Sequence, residues 1–337
     1  MKKSLLLTAL TLALSLSSAY ALTLQEALAR APQTSNVKLA RIEAQDAQSN
    51  LTRQLADPLL TRPTEVQARQ RAELAQLKLT AAQRSAESSI VSAYAQALEA
   101  QKQVQLAEKQ QDLRQLSLNI AQIRQKNGSG TAFDVRDAQN QLEDANKTVA
   151  QAKDGLATAL QNLSNTIGAS DNKLSVPQPG QMPALPDAKT IDTVLERSTN
   201  VAQVRQGLEL AQLQLGLLDP SYSAQSQIDS ARVQVQNAQE NLETARDGER
   251  LSVQSLFNTL VSARKAWQVQ ETAENNAQDR LETDQKRFRA GLISQLQLTQ
   301  TELSKIQAEL ALIQARNSYL RAYYSFLAGS GSAGGGR

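Results

Sequence analysis

With no histidine and no cysteine in its 337 residues, the chain has no imidazole base and no thiolate. A Ser-His-Asp or Cys-His mechanism is therefore impossible within it. Neither a disulfide nor a lipid-bearing cysteine can form. Carboxylates remain as the candidate chemistry. Glu240, Glu243 and Asp247 are spaced by three and four residues, which places them on one face of a helix. Such a group could hold a cation or share a proton. No loop able to build a pocket accompanies it, and a solvated charged face accounts for the same spacing. The chain reads as non-enzymatic, with no cofactor and no metal.

Charge and aromatic content narrow the partners. Basic and acidic residues number 36 and 33, and aromatics make up 3%. Loss of Lys2 and Lys3 would leave 34 against 33. There is no polybasic patch, and few rings are available to stack on bases, so nucleic acid is excluded as a partner. Met1 to Ala21 reads as a secretory signal peptide. It has a positive start, an apolar run too short to span a bilayer, and the Ala19-Tyr20-Ala21 cleavage pattern. Export to the periplasm or cell envelope follows, with no spanning segment in the mature part.

The remaining chain is mostly Ala, Gln, Leu, Glu, Lys and Arg, with 14 Gly and 8 Pro. That composition predicts long helices, punctuated where Pro and Gly fall. Thr64 to Lys126 contains neither breaker, and as one helix would be about 95 Å long. A helix of that length belongs in a coiled coil or elongated bundle. Ser221 to Ala290 predicts a matching second one. After Gly128 to Gly130, the residues Val135, Ala138, Leu142, Ala145, Val149, Ala152, Leu156, Ala159 and Leu163 alternate steps of three and four, a heptad seam. The last helix carries two seams. Leu303, Ile306, Leu310, Ile313, Leu320, Tyr324 and Leu327 form one, and Leu298, Ala308, Leu312, Ala315, Tyr319, Ala322 and Phe326 the other. Two seams imply two neighbours.

The halves repeat. Asp57-Pro58 answers Asp219-Pro220, Gly128 answers Gly291, and Gln151-Ala152-Lys153 answers Gln314-Ala315-Arg316, all at offsets of 162 or 163. A near-constant offset indicates a duplicated hairpin. The expected fold is all-α, built of duplicated long antiparallel coiled-coil hairpins with no β-barrel. Residues 22–168 form the first hairpin repeat, 169–188 a Pro-rich linker, 189–327 the second repeat, and 328–337 a flexible Gly/Ser tail.

These features resemble the TolC-type outer-membrane efflux protein family. The opening Leu22-Thr23-Leu24-Gln25-Glu26-Ala27-Leu28 is similar to that family's start. The turn Gly128-Ser129-Gly130-Thr131-Ala132-Phe133-Asp134-Val135 is similar to its hairpin tip, and Ala315-Arg316-Asn317-Ser318-Tyr319-Leu320 to its final helix. The resemblance implies a hollow helical barrel, usually a homotrimer, serving as an exit duct whose tips dock a periplasmic adaptor protein. Carried over residue by residue, the tip positions are Gly128, Thr131, Asp134, Gly291, Ser294 and Gln297. Gln297 stands where the family commonly has Asp, so no acidic gate or cation selectivity carries over to the second tip.

Family members insert membrane strands between the short and long helices of each half. A spanning strand needs about 9–11 alternating residues. The sites here are Asp57 to Pro63 and Asp219 to Ser223, too short for one strand. The chain therefore reads as a member without the membrane β-strands. Two functions stay open at this stage: a component of an efflux or secretion conduit, and a non-transporting coiled-coil scaffold or spacer of the cell envelope.

Overall fold

A computed structural model describes residues 21–169, 173–177 and 179–329. Residues 1–20 of the expected signal peptide (Met1 to Ala21) and residues 330–337 of the expected tail (328–337) lie outside the described residues. Among the described residues eight α-helices follow one another: α1 (Leu24–Leu28), α2 (Ser35–Leu55), α3 (Arg62–Lys126), α4 (Ala132–Ile167), α5 (Ala188–Glu196), α6 (Thr199–Gly216), α7 (Gln225–Arg289) and α8 (Gln295–Ala328). Helices α3 and α7 are each 65 residues long. Pro63 falls inside α3 rather than before it. It sits in the first turn, where its missing N–H has no intrahelical acceptor to serve. Among the described residues the sole β-type pairing is one parallel bridge, Leu22 to Leu174.

The helices form one open layer. Helix α3 packs along α4 and α8 in its lower half and along α2 and α6 in its upper half, while α7 packs along α8 and α6. The first turn of α2 and the last turn of α4 line one cleft over Ser85 and Ser89 of α3. Likewise Ser198 and Thr199 at the start of α6 meet Leu327 and Ala328 at the end of α8. Short helices thus stack end to end into columns. The order across the layer is α2/α4, α3, α6/α8, α7. Helices α4 and α7 share no seam, so the bundle does not close on itself.

Seam patterns explain this order. All nine predicted seam residues of α4 are buried or half-buried, and most other residues of α4 between Ala132 and Thr158 are exposed, as an edge helix with one neighbour requires. Both stripes of α8 are buried or half-buried, because α8 lies between α3 and α7. Buried polar groups set the register. Gln70 donates to the Gln206 carbonyl at 3.1 Å and Gln206 donates to the Gln70 carbonyl at 3.0 Å, a reciprocal pair between α3 and α6. Asn317, 2% exposed, donates to the Ala95 carbonyl at 3.1 Å and to Glu99 at 2.9 Å. A slip of either pair would strand buried amides, which costs more than the bonds contribute. Lower down, Lys102 meets Glu309 and Lys109 meets Glu302, joining the two hairpins in antiparallel register.

A belt surrounds the middle of the layer. Helix α1, the linker and α5 close around α3 and α7 there. Ile90, Val91, Ala93, Tyr94, Ala95, Ala97 and Leu98 are buried almost all round α3. The Tyr94 hydroxyl lies 2.7 Å from the Leu22 carbonyl and 2.5 Å from that of Ser175, tying the segment before α1 to the linker. Burial holds this phenol above its ordinary pKa, so it remains a donor. Loss of the hydroxyl in Tyr94→Phe removes this donor from the Ser175 carbonyl, while the Leu22 carbonyl keeps the Ser175 N–H at 2.9 Å. We expect about 1–3 kcal/mol of destabilisation, read as a lower urea midpoint.

Candidate functional site: the two hairpin tips

Both tips lie at the same end of the layer, where the descending helices α3 and α7 turn back. The chain leaves α3 through Gly128, at φ 75°, and α7 through Gly291, at φ 73°. That left-handed conformation is costly for a side chain but open to glycine. In the first tip the Ser129 and Gly130 N–H groups donate to the Arg124 carbonyl at 2.9 and 3.1 Å. In the second, Leu292 N–H donates to the Arg287 carbonyl at 2.9 Å. Open space surrounds the Cα of Gly128 and Gly291, so only backbone strain opposes a side chain there. For Gly128→Ala or Gly291→Ala we expect about 1 kcal/mol of local destabilisation and no clash, measured as faster amide exchange in the affected turn.

Each ascending helix opens with the same reciprocal cap. The Asp134 carboxylate accepts from Thr131 N–H at 2.8 Å and from its hydroxyl at 2.9 Å, and Thr131 Oγ1 accepts from Asp134 N–H at 3.2 Å. Gln297 and Ser294 repeat the arrangement with a neutral amide oxygen, at 2.9, 3.2 and 3.2 Å. Thr131 and Asp134 therefore meet, as do Ser294 and Gln297. The two sets stay on separate hairpins. Taking Lys109 opposite Glu302 as level, the second tip ends roughly 12 Å short of the first.

The caps respond differently to acid. Hydrogen bonds from the Thr131 backbone, and then from its hydroxyl, hold Asp134 below the usual carboxylate range. A depressed carboxylate contributes stability above its ordinary pKa and loses it as pH falls through the lowered value. Gln297 has no proton to gain. Amide exchange at Thr131 to Asp134 should accelerate between neutral pH and the acid side of that lowered value, after correction for intrinsic rates. Exchange at Ser294 to Gln297 should not. Equal acceleration at both tips would contradict this.

The residues with most to offer a partner are ones the sequence reading did not single out as site residues. Phe133 and Leu292 are 68% and 74% exposed, and Ile123 is exposed beside them. The available signal was positional: Phe133 falls two residues before the seam begins, where no neighbouring helix can cover it. Around these apolar side chains stand Arg124 and Lys126 in the last turn of α3, and Lys286, Arg287 and Arg289 in the last turn of α7. Cations are favoured at helix C-termini. Each tip is thus an exposed apolar side chain beside a basic helix end. Glu240 and Glu243 remain on the exposed surface of α7, and Asp247 pairs with Arg250 at 3.3 Å. Among the described residues no group of acidic side chains is arranged to hold a metal ion.

The sequence profile described as "Outer membrane efflux protein" matches residues 62–169 and 192–330, which covers α3 with α4 and most of the second repeat. The chain belongs to the outer membrane efflux protein family. Solved structures share its fold at low identity. A membrane protein from Pseudomonas aeruginosa aligns with TM-score 0.61 and 14% identity, over 90% of this chain and 92% of that one. CusC, described in terms of folding and transmembrane channel formation, aligns with TM-score 0.60 and 16% identity, over 91% and 95%. The outer membrane protein VceC of Vibrio cholerae aligns with TM-score 0.58 and 16% identity, over 91% and 96%. No curated protein sequence gives a significant match. In this efflux-family member the two positions between short and long helices are tight turns, Ala56 to Thr61 and Leu217 to Ala224, and neither holds a strand. No described helix is long and apolar enough to cross a membrane.

Proposed function

We propose that this protein is an exported helical wall segment of an efflux or secretion conduit. Copies of the chain assemble side by side around a lumen, in the manner of a trimer, and the tips dock a periplasmic adaptor protein. The observation that carries this reading is the open layer with two free edges. On edge helix α7, Val233, Leu251 and Val269 are exposed at intervals of 18 residues, five helical turns, and so share one face. Exposed Gly248, Ser255, Ser262 and Ala266 continue that stripe. Small and apolar residues in a row suit the close approach of another helix. The opposite edge offers Leu39 and Ile42 on α2, and Ala150 and Ala157 on α4, also exposed. Edge-to-edge contact of this unlike pair gives a heterologous interface, which closes into a ring when the rotation permits.

Residues Gly128, Thr131, Asp134, Gly291, Ser294 and Gln297 shape the tips in this proposal, while Phe133, Leu292 and the basic helix ends make the contacts. A partner with apolar pockets and acidic rims fits that chemistry. A non-transporting scaffold would be a rod in which the long helices close into a solid bundle. The free edges of α4 and α7 favour the conduit over that rod. Sedimentation equilibrium of the mature protein tests the proposal: a discrete oligomer is expected, and a strict monomer at micromolar concentration removes the conduit.

A further inference from the structure

The layer has two broad faces, and charge is sorted between them. On one flank of α3, Gln111 bonds to Asn146 of α4 at 2.7 Å. On the other, Lys102 and Lys109 meet Glu309 and Glu302 of α8. Two faces of α3 remain. One holds Tyr94 and carries the belt through Leu22 and Ser175. Below the belt that face carries ion pairs, Lys153 with Glu108 at 3.0 Å among them. The opposite face presents Gln96, Gln103 and Gln110, at intervals of seven residues or two helical turns. Helix α8 repeats the pattern. Glu302 and Glu309 face α3, and Arg316 bonds to Glu271 of α7. Between those contacts Gln300, Gln307 and Gln314 stand in a row, with Ser304 and Ser318 exposed beside them. At about 100° per residue, both rows fall on the side of the layer away from Tyr94. Five of the six amides are exposed and Gln110 is half-buried. None of the six side chains bonds to another described residue. At the border of the rows Glu99 pairs with Arg321 at 2.9 Å. Charge resumes below Gln110, at Arg114, Asp137 and Asp144, the first two bridged through Gln141.

We propose that this amide face lines the lumen, and that the passage takes hydrated polar solutes without selecting the sign of their charge. The inference rests on the conduit reading and names what such a conduit admits. Curvature argues for the face. Helix α1 and the linker fill the Tyr94 side, and closing the layer into a ring needs its concave side free. Chemistry argues for the solute. An amide offers a donor and an acceptor and no net charge. Rings of charged side chains give a pore its ion selectivity, and the two glutamine rows supply none. With no partner inside the chain, these amides bond to water or to a passing solute. They offer no apolar patch to retain an oily one. The ion pairs sorted to the other face meet bulk solvent, where salt screens them.

A chain without cysteine permits a direct test by single thiols. Gln103→Cys and Gln314→Cys mark the amide face, and Gln105→Cys, exposed on the Tyr94 side, is the control. Each mature variant is labelled with a maleimide polymer, and with cationic and anionic methanethiosulfonates of similar size. Rates are divided by those of the same variant in urea, and mass is measured on the same samples. In the assembled protein the polymer should label Gln105→Cys at least about tenfold faster than the other two. The two small reagents should react at Gln103→Cys and Gln314→Cys at rates within about threefold of each other. Adding Gln96→Glu and Gln307→Glu should tip that ratio about tenfold toward the cation. An assembly in which the polymer reaches Gln103→Cys as fast as Gln105→Cys overturns the choice of face. A charge preference above about tenfold without the added carboxylates, or no response to them, overturns the unselective lumen. Both results leave the conduit standing. A strict monomer removes the conduit and the lumen together, and the measured mass tells these failures apart.

Discussion

Replacing Tyr319 by alanine should destabilise the protein by about 3–5 kcal/mol, one of the two largest effects expected of a substitution here. Tyr319 is fully buried where α7, α8 and the linker meet. Its hydroxyl donates to the Pro183 carbonyl at 2.7 Å. Its ring lies 5.5 Å from that of Trp267, and the Arg264 guanidinium sits 5.5 Å from its centre. Alanine removes the ring, the cation–π contact and the tie to the linker together. Tyr319→Phe separates these contributions. It keeps the ring and leaves the Pro183 carbonyl without its donor, for about 1–2 kcal/mol. Urea unfolding measures both. Trp267 is the only tryptophan in the chain, so its fluorescence reports this site directly, and a red shift is expected for the alanine variant alone. Equal costs for the two variants would show that the hydroxyl, not the ring, dominates.

Placing carboxylates on the free stripe of α7 should abolish assembly and leave the fold intact. Leu251 and Val269 are exposed in the single chain, so Leu251→Glu and Val269→Glu cost little within it. Buried against a second copy, each unpaired carboxylate opposes association by several kcal/mol. Together they should raise the dissociation constant by more than about a hundredfold. Analytical ultracentrifugation should find monomers with wild-type helix content. An oligomer of unchanged mass would move the interface elsewhere.

Local structure was legible in the sequence where one physical rule governs one residue. Gly128 and Gly291 mark the two tips because each turn demands a positive φ, as do the helix ends at Gly168 and Gly329. The α4 seam from Val135 to Leu163 announces a single neighbour, and the double stripe of α8 announces two. Tight Asp-Pro turns could be read from their length, which leaves no room for a strand. Lateral order was not legible. Around Tyr94 the helix is buried on nearly every side, so no periodicity distinguishes the faces toward α2, α4, α8 and α1. The register rests on Gln70, Gln206 and Asn317, which are amides in a chain rich in exposed amides. Their burial depends on pairing with residues more than a hundred positions away. The belt was hidden for a similar reason: the bridge from Leu22 to Leu174 joins segments that carry no strand pattern of their own.

At the tips the sequence showed the frame and not the contact surface. Thr131, Asp134, Ser294 and Gln297 are recognisable as helix starts, and the structure commits their polar atoms to capping. That leaves Phe133 and Leu292 as the exposed large apolar side chains of the two turns. The neutral cap at Gln297 has the same shape as the acidic one, so the two tips differ in acid response rather than in geometry.

An open layer of columns with two free edges, proposed as a conduit wall, can close only by adding copies of itself. Electron microscopy of the purified mature protein tests it most directly. End-on images should show a ring with a solvent-filled centre, and side views an elongated tube on the order of 95 Å or more in length. Solid rods of single-chain mass, with no central opening in any view, would contradict it.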